Sequence, residues 1–430
     1  MRGKNGSESI DPEQTLPSDD SLLTRLQYET FQYFWEGSEP NSGMARERIH
    51  MDHVYPEHDS DIVTTGGTGF GVMAILVGVE RGFITREEAA THFEKIIGFL
   101  EKAERYHGAW PHWINGSTGK TAPFSKKDDG GDLVETAFLV QGLLAVRQYF
   151  REGNEREKAL AERIDTLWRE VEWSWYTKGG EDVLYWHWSP RYEWDMDFRV
   201  GGYNECLVMY VLAASSPTHP IEADVYHKGW ARGGAIVSDR TYLGIPLILD
   251  YYEHDDAPAG PMFWSHYSYV GLDPRNLKDR YASYWDLNRN LALIHHKHCV
   301  ENPGGFKGYG EDFWGLSASY SPGGYAAHRP DEDLGVVSPT AALSSYPYLP
   351  EESMRMIRFL YDSSRDSLRG AYGPYDAISF ESNWVLPRYL AIDQGPIPVM
   401  IENQRTGLLW DLFMSAPEVR HGLDVLGFSY

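Results

Sequence analysis

DDGGDLVETAFLVQGLLAVRQYF, residues 128–150, joins a cluster of acids to an almost unbroken apolar run. Between Leu133 and Val146 only Glu135, Thr136 and Gln141 are clearly polar, so a helix here is apolar nearly all round and has to be covered on every side. Its polar groups gather at one end. Gly130 and Gly131 break the chain, Asp132 is placed as N-cap, and Glu135 follows three residues later on the same face. Read alone, the stretch serves two purposes equally well: a capping box that satisfies orphan backbone donors, or carboxylates gathered for chemistry.

The same pattern recurs outward from this stretch. Upstream, the polar residues 1–20, with Pro12 and Pro17, read as a disordered or expression-derived tail, and a first helix is predicted over residues 21–37. Gly66-Gly67-Thr68-Gly69-Phe70-Gly71 reads as a tight turn that opens a second buried helix running to Val79. Thr85 to Glu88 has the spacing of a capping box, and Ala89, Phe93, Ile96, Ile97 and Leu100 form a single stripe, which predicts a surface helix. Downstream, an amphipathic helix over residues 154–173 follows with the stripe Leu160, Ile164, Leu167, Trp168 and Val171. Gly201-Gly202-Tyr203-Asn204-Glu205 opens another apolar helix to Ala214, with residues 221–230 as its outer partner. A start near Ser265 pairs with residues 278–300, Ser338-Pro339 is an N-cap and N1 pair before an outer helix over 351–362, and Gly395-Pro396-Ile397-Pro398 precedes a last apolar stretch ending near Phe413.

Inner starts therefore fall near residues 68, 132, 204, 265, 338 and 398, spaced by roughly 60 to 73 residues, a repeat of structure rather than of sequence. Six pairs of a buried and a striped helix describe an all-α (α/α)6 toroid, in which the N-termini of the inner helices and the loops before them meet at one mouth. Short strands over residues 182–188 and 235–249 decorate the loops. No Pro/Gly/Ser-rich linker divides residues 21–430, which read as a single domain.

Composition narrows the partners. Of 430 residues, 39 are Lys or Arg against 63 Asp or Glu, a formal net charge of -24 that disfavours nucleic acid and anionic polysaccharide and fits a neutral substrate. No apolar run of about 18 residues occurs, so nothing spans a membrane, and residues 1–20 carry no apolar signal core. Cys206 and Cys299, inside apolar helical patterns, read as buried reduced thiols. The glycine-rich stretch at 66–71 lacks the dinucleotide spacing, and in His295-His296-Lys297-His298-Cys299 only His295 and Cys299 share a helix face, so neither cofactor nor metal is expected. Nucleophile-elbow and His-Glu-x-x-His patterns are absent, which leaves carboxylates as the chemical groups.

Glu205 is placed in the first turn of an inner helix, after a loop carrying Trp186, His187, Trp188, Trp194 and Phe198. A helix N-terminus favours its charged form, so a catalytic role needs desolvation or a neighbouring carboxylate to oppose that pull. Asp128, Asp132 and Glu135 are candidates for the neighbour, and Asp393 enters the last inner helix in the same manner as Glu205. Acids at three inner-helix ends point to a site. Aromatic residues make up 14% of the chain, and although most belong to packing, Trp186, Trp188, Phe263, Trp264, Trp314 and Trp384 lie in loops before or between inner helices, where sugar faces would stack.

Taken in order, Gly66 to Gly71, the 128–135 stretch, Tyr203-Asn204-Glu205, Ser338-Pro339-Thr340-Ala341-Ala342-Leu343, and Asp393-Gln394-Gly395-Pro396 through Arg405-Thr406-Gly407 resemble the glycoamylase-like domain of bacterial endo-β-1,2-glucanases, glycoside hydrolase family 144. The resemblance runs from about residue 21 to the C-terminus. It implies an (α/α)6 toroid, an exported enzyme of the bacterial periplasm or cell surface, and metal-free hydrolysis of β-1,2-glucan. By motif, Asp128, Asp132, Glu135 and Glu205 match acidic positions important in such enzymes, Asp393 matches less closely, and Arg405 is assigned to substrate binding. The expectation is an endo-acting, anomer-inverting hydrolase of a neutral glucan or oligosaccharide, acting as a monomer without cofactor, with Glu205 as general acid. Asp393 is the first choice of base and Asp132 the second, with Glu135 and Asp128 orienting sugar hydroxyls or tuning ionisation. Rival readings are exo action or another linkage, a polysaccharide lyase, which would need cations to neutralise a uronate, and a glycan-binding protein without catalysis.

Overall fold

The computed structural model describes residues 17–251 and 257–430. Helices dominate: α1 (Asp19–Trp35), α2 (Thr65–Glu80), α3 (Arg86–Leu100), α4 (Leu133–Phe150), α5 (Glu155–Arg169), α6 (Leu207–Ser215), α7 (Tyr284–Glu301), α8 (Pro339–Leu343), α9 (Pro350–Tyr361), α10 (Ala391–Gln394), α11 (Pro396–Thr406), α12 (Leu408–Met414) and α13 (Pro417–Leu426). The first of them starts at Asp19 on the N-cap Ser18, two residues before the expected start. Residues 1–16 of the expected tail lie outside the described residues.

Helices α2 and α4 form the centre. Apolar all round, as their sequences require, they pack on each other, with α1 and α11 beside α2 and with α5, α6 and α12 beside α4. Their approach is set by glycine. A Cβ on Gly69 would stand 2.1 Å from the Phe138 carbonyl oxygen, and one on Gly142 would stand 2.0 Å from that of Gly69. The glycine-rich stretch is thus the first two turns of α2 and not the tight turn its composition predicts, because close helix contact outweighs the low helix propensity of glycine. The striped helices behave as expected: α3 starts in a complete Thr85/Glu88 capping box and α5 in an Asn154/Glu157 one, and α3 packs on α5.

Several elements are shorter than their patterns predict. The start near Ser265 yields only a 3-10 turn, Met262–Ser265, and α8 has five residues. The 221–230 segment is a π-helical turn, Val225–Trp230. Residues 397–413 split into α11 and α12 because Gly407 takes a left-handed φ of 77°, and α13 follows without having been anticipated. Strands are short and serve the loops. Leu184–Tyr185 pairs with Arg199–Val200, and Thr241–Tyr242 with Ile245–Pro246, near where strands were expected. Others were not foreseen: Ile62–Thr64 with Trp113–Asn115, Gly131–Asp132 with His187–Trp188, Arg48–His50 with Arg388–Leu390, and a hairpin of Ala318–Ser321 and Gly324–Ala327.

Cys206 and Cys299 are buried free thiols. In the histidine run, His295 Nε2 meets the Gly260 carbonyl at 2.8 Å, and His298 lies between the Tyr242 hydroxyl and Asp333, both at 2.9 Å. These imidazoles fasten loops to α7.

The α2–α4 contact makes a stability prediction. Gly69→Ala should destabilise the protein by roughly 2 to 3 kcal/mol through overpacking against backbone. Gly98→Ala on α3, whose Cβ would meet only Arg163 at 3.6 Å, should raise stability by about 0.5 to 1 kcal/mol. Thermal unfolding midpoints that move in the same direction for both variants would contradict this account.

Candidate active site

The N-terminus of α4 is where the acids meet. Asp132 is its N-cap, with Oδ1 accepting the Glu135 N–H at 2.8 Å. The box is left open, because Glu135 does not reach back: its Oε2 accepts the Gly66 N–H of α2 at 2.6 Å. Capping and convergence of acids are therefore both real here. Asp132 Oδ2 accepts from Trp186 Nε1 at 3.1 Å and stands 3.3 Å from His112 Nδ1 and 4.0 Å from His187 Nε2. Nε2 of the same His112 ring lies 3.7 Å from Glu135 Oε1. Asp128 Oδ2 is 3.5 Å from His187 Nε2, and its Oδ1 has no partner.

His112 was not anticipated. It lies in Trp110-Pro111-His112-Trp113, which has no periodicity and no motif. The backbone places it: the Thr65 N–H at the start of α2 donates to the His112 carbonyl at 3.1 Å, Trp113 pairs with Thr64, and Thr136 Oγ1 of α4 bonds both the N–H and the carbonyl of Trp110. Both central helices thus hold the same short segment.

The electrostatics follow from burial against charge. Burial opposes the charge on His112, but Glu135 and Asp132 outweigh it and lift the imidazole to about 10. Asp132 is fully buried, which by itself raises its carboxyl, yet the hydrogen bond and charge of His112 pull it below the usual range, so it stays ionised. The remaining acids pay for that charge. Burial, with Asp132 adding to it, raises Asp128, and burial raises Glu135 even against His112. Glu205 is lifted to about 7 by burial, opposed by a backbone hydrogen bond and assisted by the Asp132 charge. His187, by contrast, is driven down to about 4 by burial, more strongly than Asp132 raises it.

Glu205 does not sit in the first turn of α6, as its sequence position suggested. It lies in the turn before the N-cap Cys206, whose N–H is taken by Asn204 Oδ1 at 2.9 Å. Gly202, at φ 81°, bends the chain where a Cβ would strike the Tyr251 carbonyl. From this turn Glu205 borders two lobes of one cleft, of about 440 and 310 Å³. His112, Phe124, Trp186 and Phe263 also border both; Asp128, His187 and Trp264 line the larger lobe, and Glu47, Glu135, Tyr267 and Tyr325 the smaller.

Asp393, in α10, is buried outside the lining of either lobe. Tyr267, which does line the smaller lobe, donates its hydroxyl to Asp393 Oδ1 at 3.1 Å. Burial and then the neighbouring Asp376 hold Asp393 well above the ordinary carboxylate range, and Asp376 is raised chiefly by burial. The hydrogen bond between the two carboxyls adds to the rise of Asp393 and opposes that of Asp376. Asp376 carried no sequence signal of its own.

Four expected sugar-binding residues stand elsewhere. Trp314 is fully buried and donates Nε1 to the Glu352 carbonyl. Trp188 packs edge-on against His107 and Trp175. Trp384 packs on a small cluster with Tyr320, Val336 and Leu390. Arg405 ties α11 to α1, donating to Thr24, Gln27 and Asp20. Loop position in sequence did not distinguish these from Trp186, Phe263 and Trp264, which do border the cleft. His112, Asp128 and Asp132 each offer a donor atom within 4.8 Å of the others, the spacing of a cation site, although a protonated His112 opposes a cation there.

Comparison with known proteins places the chain. Residues 197–417 match the Glycoamylase family model. The endo-β-1,2-glucanase of Chitinophaga pinensis, solved in complex with sophorotriose and glucose, is 59% identical, with a TM-score of 0.94 over 96% of this chain and 99% of that one. The exo β-1,2-glucooligosaccharide sophorohydrolase (non-reducing end) of Parabacteroides distasonis is 44% identical over 98% of this chain, which spans 60% of that protein's length. An endo-β-1,2-glucanase of Talaromyces funiculosus, only 13% identical, shares the fold at a TM-score of 0.62 over 95% of this chain and 92% of its own.

The imidazoles can be read directly. Proton NMR should find His112 still protonated at pH 8, since its value is about 10, and His187 neutral down to about pH 5, since its value is about 4. Two rings titrating together near 6.5 would contradict the ion-pair description.

Proposed function

The chain belongs to the Glycoamylase family, in company with bacterial β-1,2-glucanases, and from that premise we propose that it hydrolyses β-1,2-glucan with Glu205 as general acid. The observation that carries the reading is the position of Glu205 where two lobes join, with its carboxyl held at about 7. A general acid works best when its pKa lies near the operating pH. Lobes on both sides let a chain run past the acid, which favours endo over exo action. Trp186, Phe263 and Trp264 offer rings for sugar faces, and Asp128 and Glu135 accept sugar hydroxyls.

The proposed reaction is inverting. Glu205 gives its proton to the glycosidic oxygen as the bond from that oxygen to C1 breaks, and a water attacks C1 from the opposite face, leaving an α-anomer. The water must lose a proton. Both Asp132 oxygens are engaged by Glu135, Trp186 and His112, so we assign Asp132 the charge that keeps Glu205 protonated. Asp393 receives the water's proton through Tyr267: the phenol oxygen accepts from water while its own proton passes to Asp393, whose proton moves to Asp376. This route leaves room between acid and base for the water, as an inverting site needs.

We further propose that the helices close into an (α/α)6 toroid, with α2, α4, α6, the 262–271 turns, α8 and α11 as the inner ring. Supporting this, α4 packs on α2 and α6, and α11 on α2 and α8. No helix among the described residues is long and apolar enough to cross a membrane. Export by a bacterium and a monomeric state complete the proposal, and cell fractionation and light scattering test them.

Incubation with a panel of neutral glucans and a uronate polymer tests the reaction class: new reducing ends from β-1,2-glucan alone support the reading, whereas unsaturated ends or no cleavage refute it. Glu205→Gln should cut kcat by about 10³ while leaving glucan binding intact. In the wild type kcat should fall as pH rises through about 7, where Glu205 loses its proton, and Asp132→Asn should move that limb to lower pH. Proton NMR of the first products should show the α-anomer; β-anomer would establish retention instead.

A further inference from the structure

Two imidazoles, His112 and His187, stand among the acids near the start of α4, and with Asp128 and Asp132 they come from three segments. The main chains of these segments are bonded to one another. Asp132 pairs across from His187 where Gly131–Asp132 meets His187–Trp188, and the Asp132 N–H donates to the Trp110 carbonyl at 3.0 Å, two residues before His112. Asp128, four residues before Asp132, lines the larger lobe together with His112 and His187. Backbone pairing thus fixes where these side chains begin.

Their donor atoms lie at the separations of ligands around a metal. A tetrahedral Zn²⁺ with bonds of about 2.0 to 2.2 Å holds its ligand atoms roughly 3.3 to 3.6 Å apart. His112 Nδ1 is 3.3 Å from Asp132 Oδ2, His187 Nε2 is 3.5 Å from Asp128 Oδ2, and the same nitrogen is 4.0 Å from Asp132 Oδ2. Ion pairing by itself accounts for the contact of His112 with Asp132. It does not account for the other half of the cluster: Asp128, only 5% exposed, has no partner for Oδ1, and His187 has none for Nδ1. Buried polar side chains left short of partners beside an open lobe call for an explanation, and a cation held by Asp128 and by His187 Nε2 supplies one. Two imidazoles with two carboxylates suit a divalent transition metal, whereas Ca²⁺ and Mg²⁺ prefer sets made of oxygen.

We infer that His112, Asp128, Asp132 and His187 form a binding site for a divalent transition-metal ion, Zn²⁺ above all, and that the bound ion inhibits the enzyme. The inhibitory half of the inference rests on the function proposed above, and the ion has no part in the reaction. An imidazole binds a metal only through a nitrogen that has lost its proton, so the ion enters in exchange for the proton of His112. That exchange holds the affinity to a micromolar Kd, well short of a closed structural zinc site. With the ion in place the Asp132 charge is taken up by the metal and Asp128 no longer accepts sugar hydroxyls. The acid centre is then disabled while the fold is untouched.

Titration calorimetry with ZnCl₂ is the test. Wild-type protein freed of metal by chelation should bind one Zn²⁺ per chain with a micromolar Kd at neutral pH and should not bind Mg²⁺ in the same range. Hydrolysis of β-1,2-glucan should fall with the same midpoint and return when EDTA is added. His187→Gln removes a ligand that has no part in the proposed reaction; it should hydrolyse the glucan within about twofold of the wild type and bind Zn²⁺ about a hundredfold more weakly. Asp128→Asn, read by calorimetry alone, should weaken binding likewise. No binding heat up to about 100 μM Zn²⁺, binding that both variants leave intact, or binding that leaves hydrolysis unchanged would overturn the inference. A metal-free wild type that leaves β-1,2-glucan intact would remove the proposed function, while the titrations of wild type and variants would still decide the ion site.

Discussion

One protonated imidazole among buried carboxyls is the interaction on which the site depends. Asp132 has no exposure to water, and a carboxyl so placed is normally neutral. The His112 ring at 3.3 Å keeps it charged. That charge then helps lift Glu205, Asp128 and Glu135 toward their protonated forms. The order of dependence runs from His112 to Asp132 to the acids facing the cleft. Take away the imidazolium, and Asp132 loses the strongest of the groups that hold it as an anion, and Glu205 the charge that adds to burial in holding its proton.

Distance between two helices sustains this arrangement. Glu135 and Asp132 belong to α4, whereas His112 hangs from the first residue of α2 through the Thr65 N–H, and the Gly66 N–H of the same turn holds Glu135. The spacing between imidazole and acids is therefore the spacing between α2 and α4, fixed where Gly69 and Gly142 meet backbone to backbone. Glycines that weaken each helix in isolation let the pair approach closely. Charge placement rests on the packed helices α2 and α4, while the loops and the 318–327 hairpin supply rings.

A second pair of buried carboxyls, Asp376 and Asp393, lines neither lobe of the cleft. Tyr267 and Tyr320, which line the smaller lobe, bond to Asp393 and to Asp376 respectively. Burial raises both carboxyls, and the hydrogen bond between them raises Asp393 further while lowering Asp376. Trp186 has a similar double role: its ring borders both lobes, and its N–H fixes an Asp132 oxygen.

The amino-acid sequence by itself determined the helical class, the identity of α2 and α4 as buried helices, the Thr85/Glu88 cap of α3, and the presence of acids at the starts of inner elements. These are local properties: hydrophobic period and capping act over one or two helical turns and can be read from neighbouring residues. Tertiary structure alone decided which groups meet. Trp314 and Trp186 have the same look in sequence, yet one is sealed in the core and the other lines the cleft, because burial depends on what packs opposite. His112 sits in a segment without pattern, and its strength comes from two acids about twenty residues away and from desolvation. The same holds for Asp376, Tyr267 and the shortened elements at 262–265 and 339–343. A residue's charge state is a property of its surroundings through space, and sequence order carries no measure of that distance.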